Sequence, residues 1–161
     1  MAADDAALQT AVRRSRKLLN RRALVAAAAS ALPVPGLDWA VDAALLSRLI
    51  PEINREFGLS PAQLDQLDPK QRDQVQKAIA LVGSVLIGKF ISHDLVIKAA
   101  TKIGMRLGSK QLAKFVPFAG QVVSAAVGYA AISYFGEEHM KDCIRVARQA
   151  QLELPHAALG A

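Results

Sequence analysis

His139 and Cys143 stand four residues apart, so a helix sets them on one face, where a thiolate pair or half of a metal site is the chemistry their types allow. A metal site needs more ligands than these, and the chain adds only His93 and His156 and no second cysteine. Both residues therefore read as ordinary helix positions. Ser92, His93 and Asp94 have the residue types of a hydrolytic triad, but triad members converge from separate places, so three consecutive positions argue against one. The third candidate is GSVLIGKF, Gly83 to Phe90, which fits the phosphate-binding pattern GxxxxGK but carries Phe90 where the Mg²⁺-holding hydroxyl belongs. A phosphate loop also needs a strand leading in. Here the lead-in is DPKQRDQVQKAIALV, with Asp68 placed to cap, Pro69 in a first helical turn, and Val75, Ile79, Val82, Leu86 and Phe90 recurring at threes and fours. That spacing predicts a helix through the whole stretch, with Gly83 and Gly88 permitting close packing. No catalytic residue, cofactor, metal or small-molecule substrate is assigned, and the chain reads as a non-enzyme.

The elements around these residues are read from composition and punctuation. At 161 residues and 52% apolar content the chain is long enough for one domain with a substantial core. Aromatic residues make up only 5%, so that core is built from Ala, Leu, Val and Ile. A net charge of +6 is spread unevenly: residues 1–36 carry six basic and two acidic groups, 37–74 four and seven, 75–115 seven and one, and 116–161 three and four. The single cysteine excludes an internal disulfide and fits a reducing compartment. The first twenty residues turn strongly basic before any apolar run, unlike a secretory signal, which places the protein on the cytoplasmic side.

Residues 6–32 form an Ala/Leu/Arg-rich helix that stops at LPVPG, because Pro33 and Pro35 remove donors and restrict the residues before them, with Gly36 following. A second helix runs from about Asp38 to Phe57, kinked or interrupted near Pro51, and ends with Gly58 as a left-handed cap. SPAQ, Ser60 to Gln63, is a capping box with proline at the first helical position. After Pro117 an uncharged segment continues until Gly136 closes it, and EEHMKDCIRVARQAQ makes a final polar helix with its glutamates at the positive end. No strand is predicted. The expected fold is all-α, a single-domain bundle of six to seven helices over residues 1–154, with a tail at 155–161.

Two features point to binding. Lys98, Lys102, Arg106, Lys110 and Lys114 recur at four-residue intervals and form a slowly turning basic stripe on a helix, with Ile97, Ala100, Ile103, Leu107, Leu112 and Phe115 largely on the remainder. Such a stripe is either a solvated face or a contact with anionic lipid headgroups. Directly after it, Phe115 to Phe135 lacks any charge and is long enough to span a bilayer or to lie buried in a bundle. Within it Gly120, Ser124 and Gly128 form consecutive small-xxx-small steps that let another helix approach closely. The basic cluster RRSRKLLNRR at 13–22 lies beside the apolar run ALVAAAASAL and reads as a headgroup contact as well as a phosphate-backbone contact. Nucleic acid ranks below lipid, because no aromatic platform is interleaved with these cations and no DNA-reading motif is recognisable.

An apolar helix ending in Pro33, Pro35 and Gly36, a helix reaching Phe57 and Gly58, and a later Pro117 and Gly120 opening a small-residue helix together resemble the YcjF-type family of bacterial helical domains of unknown function. Such domains occur alone or attached to Era-like GTPases, and the Pro-x-Pro-Gly turn is similar to one in the helical part of immunity-related GTPases. The resemblance implies membrane association and a GTPase partner; it implies no reaction. The expectation is a helical protein of the inner membrane's cytoplasmic face, engaging lipid through the basic stripe and apolar helices. The alternative is a soluble interaction module, cytoplasmic, that binds a partner protein or another copy of itself through the Gly120, Ser124 and Gly128 face.

Overall fold

The computed structural model describes residues 2–30, 37–88, 94–95, 121–152 and 154. These contain helices and no strand, so the fold is all-α. In chain order the helices are α1 (Ala2–Ser30), α2 (Leu37–Glu56), α3 (Pro61–Asp65), α4 (Pro69–Val82) and α5 (Gln121–Gln149).

Three long helices make the core. On α1 the buried residues Leu8, Ala11, Ser15, Leu19, Ala23 and Ala26 recur at threes and fours, a single stripe of helical period. It packs against α2, which buries Leu45, Leu46, Leu49, Ile50 and Ile53, with Phe57 buried just past its end, and against α5, which buries Ile132, Phe135, Met140, Cys143, Val146 and Ala147. Arg14 pairs with Glu56 and Arg22 with Glu52, so moving up α1 means moving down α2, and these two helices run antiparallel. α2 continues through Pro51 rather than breaking there. The proline ring is exposed while Leu49, Ile50 and Ile53 around it are fully buried, and that packing offsets the loss of one helical bond, worth about 3 kcal/mol.

α2 ends in a Schellman motif. Gly58 takes φ +69°, its N–H donates to the Arg55 carbonyl, and the Leu59 N–H donates to that of Asn54 at 2.8 Å. Ser60 then caps α3 in the expected box: its Oγ accepts from the Gln63 N–H, while the Gln63 side-chain oxygen accepts from the Ser60 N–H. Asp68 caps α4 by accepting from the Lys70 and Gln71 N–H groups at 2.9 and 3.0 Å, with Pro69 at the first position.

Two expectations are corrected. The helix containing Val75 and Ile79 does not run on to residue 88: it stops at Val82, because Gly83 takes φ +73° and its N–H closes the last turn on the Ile79 carbonyl. Gly88, at φ +70°, ends a turn from which Leu86 and Ile87 still reach the core, so apolar spacing of helical period was satisfied by a turn. Gly136 does not close a helix either. α5 passes straight through it, and a Cβ there would clash with Leu19 Cδ1 and lie 3.1 and 3.2 Å from Cδ2 and Cγ. The missing side chain lets α1 and α5 approach closely, so the apolar and polar halves of this region form one helix.

Candidate functional site

α5 carries His139 and Cys143 one turn apart, and α2 brings Asn54 between them. All three are at most 3% exposed. Asn54 Nδ2 donates to the Leu86 carbonyl at 3.0 Å, in the turn that follows α4. A carbonyl can only accept, so this bond fixes the amide's orientation and turns Oδ1 toward α5. His139 Nε2 lies 2.9 Å from that Oδ1 and must therefore carry the ring proton, while the Cys143 thiol donates to the same oxygen at 3.7 Å. The cluster ties together α2, α5 and the Leu86 turn.

Burial decides its chemistry. Removal from water pushes the His139 pKa down to about 4 and raises that of Cys143 well above the usual thiol value, the latter with a smaller contribution from Asp142. At neutral pH the pair is imidazole and thiol, the opposite of a thiolate–imidazolium couple. Nor is there a relay: Cys143 Sγ is 3.6 Å from Nε2, the same nitrogen that serves Asn54, whereas a Cys–His–Asn system uses the two ring nitrogens for two partners. Among the described residues no group of three His, Cys, Asp or Glu side chains could hold a metal ion. The i, i+4 pair was legible in the sequence, but Asn54 was missed. Its signal was a polar residue on the apolar face of α2, four positions after Ile50 and three before Phe57.

The other sequence candidates fall as follows. Gly58 caps α2 as expected. Gly83 to Gly88 forms a turn entered from a helix, with the Leu86 N–H facing Ser84 Oγ and the Leu86 carbonyl held by Asn54; Lys89 and Phe90 lie outside the described residues. So do Lys98, Lys102, Arg106, Lys110 and Lys114, together with Pro33, Pro35, Gly36, Pro117 and Gly120. Ser124 and Gly128 fall on the first part of α5, and what surrounds them is likewise outside the description. A cavity of about 150 Å³ opens between α3, α4 and Gly88, but its one cation, Arg72, bonds the Leu64 carbonyl and faces Asp65.

The N-terminal cations divide into two sets. Arg14 and Arg22 pair with Glu56 and Glu52 of α2, and Arg16 pairs with Glu137 of α5 at 3.3 Å. Arg13, Lys17 and Arg21 are exposed and, among the described residues, meet no carboxylate. Further along α1, Leu24 and Val25 are 63% and 51% exposed. No described helix is long and apolar enough to cross a membrane. No family model, curated protein or solved structure matches the chain.

Proposed function

We propose that this is a non-enzymatic, membrane-associated helical protein. In this reading it is a single-domain bundle of six to seven helices that sits at the cytoplasmic face of the membrane and engages anionic lipid through its cationic faces and apolar helices. The observation that carries the reading is the division of cations on α1: three are tied to carboxylates of α2 and α5, and three, Arg13, Lys17 and Arg21, stand exposed and meet no carboxylate among the described residues. Exposed cations at regular spacing suit a polyanionic surface, at about 1 kcal/mol per residue near an acidic bilayer. The stripe Lys98, Lys102, Arg106, Lys110 and Lys114 extends the same chemistry along the sequence.

The buried cluster supports the non-enzymatic part, since its titratable groups are held neutral and away from solvent. The test is fractionation of cells expressing the chain, with membranes washed first in high salt and then in carbonate. The expected result is recovery with membranes and release by salt. Recovery in the soluble fraction at low salt sinks the reading and leaves the soluble interaction module, with a GTPase as one candidate partner.

A further inference from the structure

At ~100° per residue, Arg13, Lys17, Arg21, Leu24 and Val25 all fall within a sector of roughly 120° of α1, opposite the buried Ser15, Leu19 and Ala26. The sector is graded along its length. Its first part is cationic and its last part apolar, with Arg13 and Leu24 about 16 Å apart along the axis. Large aliphatic side chains exposed beside unneutralised cations form an interfacial pattern, in which ammonium and guanidinium groups meet phosphates while the neighbouring apolar groups pass below them.

We infer that this face of α1 docks on an anionic bilayer, with Leu24 and Val25 inserted among the acyl chains and Arg13, Lys17 and Arg21 on the lipid phosphates. The inference rests on the membrane reading above and names the surface that performs it. Charge selects the occupant. The chain's own residues 96–120 carry five cations and no carboxylate, so they match this sector in sign rather than complement it, and a second copy would present the same cations to it. Nucleic acid would complement the cations but leaves Leu24 and Val25 unanswered, because no aromatic stacking group accompanies them on the sector.

The experiment is flotation of the full chain with phosphatidylcholine vesicles, with and without phosphatidylserine, at moderate salt. Leu24→Ser/Val25→Ser should weaken binding to the acidic vesicles by at least roughly tenfold and leave the melting temperature unchanged, since both side chains already face solvent. Arg13→Gln/Lys17→Gln/Arg21→Gln should weaken it by roughly fivefold per cation removed. A polarity-sensitive fluorophore on Leu24→Cys should shift to the blue with acidic vesicles and not with neutral ones; one on Gln74→Cys, exposed on α4, should not shift. Cys143 is fully buried, and wild type treated with the same reagent is the control for its labelling. If both α1 variants float like wild type and only Lys98→Gln/Arg106→Gln/Lys114→Gln loses binding, the inference fails while the membrane reading stands. If the wild-type chain floats with neither vesicle, both fail.

Discussion

The junction of α2, α5 and the Leu86 turn and the outer face of α1 handle polar groups in opposite ways. At the junction the amide of Asn54 answers an imidazole, a thiol and a backbone carbonyl, all neutral and all hidden from water. On α1, three cations and two large aliphatic side chains face outward, and among the described residues the cations meet no carboxylate. A group satisfied internally contributes to holding the fold, and its removal leaves a buried partner orphaned. A group left unsatisfied on the surface contributes little to folding and remains available to something else. The two regions should therefore respond to mutation in opposite ways, one in stability and the other in lipid binding.

The largest effect is expected at Asn54. Asn54→Leu keeps roughly the side-chain volume but strands the His139 Nε2–H and the Leu86 carbonyl, each worth about 1–3 kcal/mol when buried without a partner. Urea unfolding should show a loss of roughly 2–5 kcal/mol, read as a lower midpoint at unchanged slope. Vesicle binding by the remaining folded protein should be that of wild type. A variant that unfolds at the wild-type urea concentration would mean that the cluster does not hold α2 against α5.

Acid should act on the same junction with a slightly smaller effect. His139 is neutral in the fold, with its pKa pushed down to about 4 from 6.5. The unfolded chain takes up the proton first, so the stabilisation from this group is complete above about pH 6.5 and is lost as pH falls toward 4. The shift corresponds to roughly 3 kcal/mol over that interval. His139→Gln retains an N–H donor and does not titrate, so the difference between the two stability curves isolates the group from the carboxylates that protonate in the same range. Parallel curves between pH 6.5 and 4 would show that His139 is not shielded as the fold implies.

The contrast between the two regions also separates what the sequence could and could not reveal. Local signals were legible: the Ser60/Gln63 box, the Asp68 cap with Pro69, and Gly58 each act within a few residues of themselves. Glycine was misread in both directions. Gly83 was read as a packing position within a helix and is a left-handed cap, and Gly136 was read as a helix end and is the packing position. Glycine at the end of an apolar run carries both meanings, and only the neighbour, Leu19 from α1, decides for Gly136. The buried cluster was half legible for the same reason. His139 and Cys143 share a helix face through their spacing, but the amide that unites them comes from a position 85 residues away from His139. On α1 the cations themselves were plain in RRSRKLLNRR; which of them were free depended on Glu52, Glu56 and Glu137 reaching across from other helices.

Two adjacent arginines give the smallest and sharpest test of the comparison. Arg22 lies 3.2 Å from Glu52 with both side chains about 30% exposed, and Glu52 Oε2 has no hydrogen-bond partner of its own. Removing the guanidinium leaves a half-buried carboxylate without its cation, so Arg22→Gln should lower stability by about 0.5–1 kcal/mol, a partly screened pair being worth no more. It should leave vesicle binding nearly unchanged, because that charge is already answered within the protein. Arg21, one residue earlier, is exposed and meets no carboxylate among the described residues. Arg21→Gln should leave stability within about 0.5 kcal/mol of wild type and weaken binding to acidic vesicles by roughly fivefold. The two variants change the same charge by the same amount on neighbouring residues, so net charge predicts equal effects on lipid binding, and orientation about the α1 axis predicts unequal ones. Equal loss of vesicle binding in both would mean that the membrane reads only the overall positive charge of α1; a loss confined to Arg21→Gln would mean that it reads one face.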